Sequence, residues 1–192
     1  VQGTVSSPAP AATLPTNWVT TGENLGTAAG NDGTVNGVLN TVTVSNANVV
    51  NANFGIEQLP NPSVITSAGQ VNPGGTVSVA VPATTFGAPD PDGGFVTNIK
   101  ITGLPTNATS ITINGTLYTS GFPITVPTNA SGEPTQSILV DPIEGSVTVS
   151  IPYTAIDNAG KESVNQGAAK VPFTTPNPDV NATYVNLLLT GD

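Results

Sequence analysis

Apolar and polar residues alternate along most of this 192-residue chain, and this alternation limits the fold more than any other feature. A period of two places successive side chains on opposite faces of a β-strand, whereas a helix needs apolar spacings of three and four. The helical spacing is not sustained anywhere, and 21 glycines and 18 prolines further disfavour long helices. We therefore expect an all-β protein. The predicted strands are two within 34–56, around a turn at Ser45–Asn48, and one in each of 75–82, 95–104, 109–119, 124–127, 136–143, 145–157 and 168–175.

Two Pro/Asn linkers suggest how the chain is divided. Residues 57–63 read EQLPNPS and residues 174–181 read TTPNPDVN. They separate a segment 1–59, a middle unit 60–176 and a final piece 177–192. Short strands separated by turn residues favour a Greek-key sandwich, and the middle unit approximates an immunoglobulin-like domain in size. The first segment is short for a sandwich, so it is either part of a domain or packs against the middle unit.

Net charge excludes several classes of partner. The chain carries 12 acidic and 3 basic residues, a net charge of −9, and none of the basic residues is arginine. Nucleic-acid binding and adhesion to anionic membranes both need clustered Lys and Arg. No apolar run reaches the length of about 18 residues that a membrane span requires. Divalent cations remain an attractive partner.

Missing residue types argue against an enzyme. The chain has no His and no Cys, which removes Ser-His-Asp and thiol nucleophiles and imidazole or thiolate metal sites. Paired carboxylates could still hydrolyse glycosides. A sugar cleft, however, normally uses aromatic platforms, and only 5% of the residues are aromatic. We expect no catalytic activity.

Acidic residues cluster at the ends of three predicted strands. Because strand ends from distant parts of a sequence gather at the poles of a sandwich, we expect these carboxylates to converge and to repel one another unless a cation lies between them. Calcium takes six to eight oxygen ligands and suits such a site. The predicted calcium ligands are Asp90 and Asp92 in APDPDGG, Asp141 in VDPIEG and Asp157 in IDNAGKES, with Asn98 and Asn158 as sources of amide oxygen. The competing interpretation is that each Asp only caps its own turn.

Two single residues invite structural predictions. Tyr153, in VSIPYTAIDNAG, is typical of a corner tyrosine whose hydroxyl holds a loop by bonding to its backbone. Lys100 lies in an alternating strand, where a solvated lysine is favoured over one that forms a Lys–Asn crosslink between strands.

Residues 17–60, and NVVNANFGIEQ at 48–58 above all, resemble the C-terminal part of B-type repeat domains, as in collagen-adhesin and serine-aspartate-repeat surface proteins. Related modules often carry a Lys–Asn isopeptide bond. Residues 1–59 contain no lysine, so that bond cannot form within this segment.

Residues 88–163 resemble cadherin-like or immunoglobulin-like bacterial repeats, through DPDGG near their start and YTAIDNAG near their last strand. The resemblance implies a β-sandwich in which Asp90, Asp92 and Asp157 bind calcium. Residues 177–192 resemble the opening strand of a following repeat.

Together these stretches resemble a slice of a large Bacteroidota cell-surface adhesin, of the kind exported by type IX secretion in gliding bacteria. The resemblance implies an extracellular repeat module that extends a binding tip or makes weak multivalent contacts. Its partners would be neighbouring repeats and a surface ligand that the sequence does not name. Two alternatives stay open: a module that binds carbohydrate or protein directly, and a spacer in a secreted enzyme.

Overall fold

The computed structural model describes residues 13–25, 28–29, 34–39, 42 and 45–176. Within these residues the protein is all-β, which confirms the predicted class, and its only helical element is a 3-10 turn at Ala83–Thr85. The strands are β1 (Trp18–Leu25), β2 (Ala28–Ala29), β3 (Ala52–Gln58), β4 (Val64–Thr66), β5 (Gln70–Val71), β6 (Val79–Ala80), β7 (Val96–Ile101), β8 (Ala108–Ile113), β9 (Thr116–Tyr118), β10 (Ile124–Pro127), β11 (Ile138–Pro142), β12 (Val147–Asp157) and β13 (Gly167–Thr174).

Residues after the first linker form two sheets that pack together. The larger has the order β10-β7-β12-β13-β4, with β5 also beside β13, and the smaller has the order β6-β11-β8-β9. Strands β4 and β5 run parallel to β13, and every other named pair is antiparallel. Their alternating side chains meet in one core, which draws on both sheets and includes Ile99, Ile111, Val126, Val140, Ile151, Val171 and Phe173. The result is a β-sandwich.

Tyr153 closes one side of this core and confirms its predicted role. The ring is fully buried and packs edge-on against Phe86, with ring centroids 5.2 Å apart. The hydroxyl lies 2.9 Å from the carbonyl oxygen of Ser63 and 2.8 Å from that of Gly87, and it accepts the N–H of Gly87 at 3.1 Å. It therefore fastens the chain before β4 to the loop before β7.

Residues before the linker form a separate sheet with the order β2-β1-β3. No described residue of this sheet belongs to the apolar clusters of the sandwich. The strand predicted in the first half of 34–56 is wrong for described residues 34–39 and 42, which do not belong to a strand. Gly37 has φ +74°, and its N–H bonds to the Glu23 carboxylate at 3.0 Å instead of joining a ladder.

The hairpin between β8 and β9 turns at Asn114 and Gly115 as the Asn-Gly pair indicates. Both residues have positive φ, +47° and +80°, as a type I′ turn requires. Most other sandwich strands begin and end within a few residues of the predicted bounds, whereas β1, β2, β4 and β5 were not predicted.

Candidate metal centre

The candidate site begins in the loop between the 3-10 turn and β7. Two contacts position this loop: Asn61 donates its N–H to the carbonyl of Pro89 at 2.9 Å, and Ala88 is buried. Gly94 is required by close packing, because a Cβ there would collide with Asp90 Oδ2 and with Asn158 Oδ1 at 2.6 Å. Asn158 also accepts the N–H of Phe95 at 3.0 Å. The loop thus holds Asp90 beside the residue that follows β12.

Three carboxylates meet at this loop, and one comes from the first sheet. Ligand oxygens of Glu57, Asp90 and Asp92 all lie within 4.8 Å of one another. Glu57 lies near the end of β3, and the next residue, Gln58, donates its N–H to Asp92 Oδ2 at 2.7 Å. The cluster therefore joins the end of β3, where the linker at 57–63 begins, to the loop before β7 in the sandwich.

Asp157 supplies a fourth charge from the end of β12. Its side chain is buried, with the residue only 2% exposed. Oδ1 accepts the N–H of Lys161 at 2.7 Å, which holds the turn after β12, whereas Oδ2 is buried and has no hydrogen-bond partner. The negative charge of Asp157 raises the pKa of both Glu57 and Asp90. A buried carboxylate oxygen is thus left without a donor on a residue whose charge acts on Glu57 and Asp90.

Proton affinities in the cluster indicate that its repulsion is only partly offset, because the positive charge of Lys161 lowers the pKa of Glu57 without cancelling the rise. Desolvation, contact with the Asp92 carboxylate, and the charges of Asp92, Asp157 and Glu57 together raise the pKa of Asp90 to about 6. Desolvation raises the pKa of Glu57, with contributions from Asp157 and Asp92. The pKa of Asp92 is lowered, chiefly by the N–H of Gln58. Both oxygens of Asp90 are buried without a donor, so a proton or a cation is needed between Asp90 and its neighbours.

The structure brings together Asp90 and Asp92 and places Asp157 close enough to raise the pKa of Asp90, but it does not bring Asp141 to this site. Asp141 pairs with Ser110 between β11 and β8, and its Oδ2 accepts the Thr109 hydroxyl at 2.6 Å. A short turn joins the end of β11 to the start of β12, whereas Asp157 is the last residue of that 11-residue strand. At about 3.3 Å per residue, the two aspartates lie towards opposite ends of the sandwich.

Three other polar side chains from the sequence analysis are engaged elsewhere. Glu162 forms an ion pair with Lys100, with Nζ and Oε2 2.6 Å apart, so Lys100 is a paired lysine on the sheet face. Asn98 donates to the hydroxyl of Thr97 at 3.0 Å.

Sequence reasoning missed Glu57. The available signal was an acidic residue directly before a Pro/Asn linker.

The donor set fits a hard cation. Carboxylates of Glu57, Asp90, Asp92 and Asp157, with the Asn158 amide oxygen, are the ligand types that Ca²⁺ prefers, and water completes six to eight oxygens. Zinc sites normally use Cys or His, and the chain has neither. Caps on local turns explain one oxygen of Asp157, and the nearby Gly94 N–H also acts on Asp92, but the Gln58 N–H that Asp92 Oδ2 accepts lies 34 residues away.

Comparisons with protein-family models, curated proteins and solved structures found no match to this chain. The described residues include no helix with the length and apolarity needed to cross a membrane.

Proposed function

We propose that this chain is a structural repeat module of an extracellular bacterial adhesin, in which calcium stiffens the joint between successive β-units. The sandwich is proposed to be of the immunoglobulin-like or cadherin-like type. The observation that carries the proposal is the meeting of Glu57, from the sheet before the linker, with Asp90 and Asp92 of the sandwich. A cation at this point would bind both units at once.

The linker itself is short and ordered, which suits a joint. Leu59 is buried, and its N–H bonds to the Asn17 carbonyl at 2.7 Å on the side of the first sheet. The N–H groups of Gln58 and Asn61 bond to Asp92 and to the Pro89 carbonyl on the sandwich side. Without a cation, repulsion between Glu57 and the two aspartates opposes these contacts. With calcium bound, the same charges attract a common ion, so we expect the angle between the units to vary less.

Composition supports an extracellular scaffold. Only 8% of the residues are charged, compared with a usual value of about 25%, so the surface relies on neutral Thr, Ser and Asn. Calcium sites of extracellular modules work at about 10⁻⁴–10⁻³ M, an affinity range that a partly exposed site can reach. In an array, such modules would extend a distal binding tip or add weak contacts whose avidity rises through effective concentration.

Spin-label distances across the joint test the proposal. The chain has no Cys, so Asn53→Cys on β3 and Leu117→Cys on β9, both exposed, give one labelled pair. We expect millimolar calcium to narrow the distance distribution and chelation to broaden it. The same pair in Asp157→Asn protein should not respond, whereas in Asp141→Asn protein it should respond fully. An equally broad distribution with and without calcium would overturn the proposal.

Direct ligand binding is the alternative, and the described surface gives it little support. An open groove of about 350 Å³ beside β1 and β3 has Phe54 as its only aromatic lining residue. Carbohydrate recognition usually combines aromatic stacking with several convergent polar groups. Saturable binding of a glycan or a protein by this chain alone would favour the alternative.

A further inference from the structure

The outer edge of β3 has no strand beside it within the described residues, and one face of its sheet carries mostly apolar side chains. In the order β2-β1-β3, strand β3 pairs with β1 alone. Four cross-strand pairs place eight side chains on one face of this sheet. The pairs are Trp18 with Gln58, Thr20 with Ile56, Glu23 with Phe54 and Leu25 with Ala52. Phe54 and Ile56 are 55% and 52% exposed. A sheet with such a face normally buries it against another element.

In the sandwich, the last strand, β13, has a neighbouring strand on each side and so leaves no edge unpaired. Strand β13 pairs with β12 on one side, as β3 pairs with β1. On its other side, β4 and β5 run parallel to β13 and occupy the edge. Those two strands follow the linker at 57–63 directly and open the sandwich unit. The first strands of the unit therefore protect the last strand of the same unit.

A repeated pentapeptide relates β3 and residues 177–192 to strands of the sandwich. In the sequence, β3 holds the position of β13, and residues 177–192 hold the position of β4 and β5. The sequence PNPSV at 60–64 recurs as PNPDV at 176–180, 116 residues later. β3 ends two residues before Pro60, and β13 ends two residues before Pro176. β3 thus precedes the first copy of the pentapeptide as β13 precedes the second, and residues 177–192 occupy the sequence position after the second copy that β4 and β5 occupy after the first.

We propose that residues 180–187 of a second copy of this chain pair in parallel with the outer edge of β3, as β4 and β5 pair with β13. This segment reads VNATYVNL, which suits an edge strand because it has β-branched and aromatic residues and no charge. The main-chain groups of β3 would supply the hydrogen bonds, and its apolar face would gain neighbours. The structure of residues 177–192 lies outside the described residues, so the proposal rests on their sequence.

Strand directions favour a second copy over the same chain. Phe173, near the end of β13, pairs with Val147 at the start of β12, whereas Glu57 lies with Asp157 at the far end of β12. The chain therefore leaves the sandwich at the end opposite β3. Identical copies would meet head to tail, and such a contact repeats from copy to copy until it either closes into a ring or continues as an open filament. The inference deepens the proposed role as an array unit, but it does not require calcium.

Disulfide trapping tests the pairing on the full chain, which is free of Cys. One preparation carries Phe54→Cys and the other Ala182→Cys; they are mixed and oxidised, and heterodimer formation is followed on non-reducing gels. A Val77→Cys chain, exposed on the sandwich, replaces the second partner as the control. We expect the Phe54/Ala182 mixture to crosslink at least tenfold faster than the control. The pair Ala52→Cys with Val180→Cys gives a second site in case Phe54→Cys weakens the first sheet.

Three outcomes would overturn the inference: both pairs crosslinking no faster than the control, Phe54→Cys chains forming mainly symmetric homodimers, or a double variant forming its disulfide within one chain. The reactions are run in calcium and in chelator. If no crosslink forms in calcium or in chelator, the strand pairing is overturned and the proposed calcium joint is unaffected. If the crosslink forms in both conditions but calcium does not change the spin-label distances, the calcium joint is overturned and the strand pairing is supported.

Discussion

Without calcium, the Asp90→Asn variant should be more stable than the parent chain. With calcium, it should be less stable. Oxygens of Asp90 and Glu57 lie within 4.8 Å of each other. Two unit charges at that distance repel by about 0.9 kcal/mol in water and about 3.5 kcal/mol at an effective dielectric constant of 20. Glu57 is half-exposed, so solvent screening favours the lower value. We therefore expect the free energy of unfolding of Asp90→Asn, in chelator at pH 7.5, to be about 1 kcal/mol higher than that of the parent chain. Its Tm should be roughly 2–4 °C higher.

Calcium should produce the opposite order. An ion at a tenfold excess over its Kd stabilises the folded state by about 1.4 kcal/mol, which raises Tm by roughly 3–6 °C. The parent chain should gain this increase and Asp90→Asn should not, so the two melting curves should change places between chelator and 5 mM calcium, an order of magnitude above typical extracellular Kd values.

Asp141→Asn is the matched control, because it makes the same chemical change far from the cluster. Its calcium response should equal that of the parent chain. The reasoning is refuted if Asp90→Asn is less stable than the parent in chelator, or if its Tm rises with calcium as much as the parent's. An unchanged Tm of the parent at 5 mM calcium would also refute it. Differential scanning calorimetry or circular dichroism melting is sufficient.

The remaining predictions concern pH and the core. Because the pKa of Asp90 in the fold, about 6, exceeds its ordinary value of 3.8, the folded state binds more protons between those values. Calcium-free protein should therefore lose stability as pH rises from about 4 to 6, and calcium should oppose that loss; urea midpoints at pH 4.5 and 7.5 measure both effects. Tyr153→Phe leaves the Gly87 N–H and two carbonyl groups without the hydroxyl, and should cost about 1–3 kcal/mol, whereas Tyr118→Phe at a half-buried edge position should cost less. Gly167→Ala places a Cβ 2.5 Å from the Ser63 carbonyl oxygen and should cost about 1–3 kcal/mol, whereas Gly103→Ala, whose Cβ meets nothing closer than 4.0 Å, should be tolerated sterically; chemical denaturation distinguishes them.

The sandwich strands could be predicted from sequence because each has one buried face. In β12, Val149, Ile151 and Tyr153 point to the core while Thr148, Ser150 and Pro152 alternate with them. This alternation can be recognised within the sequence of one strand, without knowing which strands lie beside it. Strand β1 lacks it because its sheet has no second layer within the described residues. Trp18 and Val19 are both only half-buried, and a bulge between Thr20 and Gly22 interrupts the alternation.

The site could be predicted only in part, because strand direction is not a local property. Asp141 and Asp157 both end strands, which suggested one location. Yet β11 and β12 are consecutive and joined by a tight turn, so the end of one adjoins the start of the other. Glu57 was missed for a related reason: its place depends on how the Leu59–Pro60 linker turns the first sheet against the sandwich.

The parallel pairing of β4 with β13 has a mechanical consequence. Tension applied to the two ends of the sandwich pulls β4 towards one end and β13 towards the other, along their common axis. Their ladder, with Ala168 opposite Val64 and Thr174 opposite Val71, is then loaded lengthwise, so its hydrogen bonds must fail together instead of one after another. A tether built from such units would resist stretching by flow until a threshold force is reached.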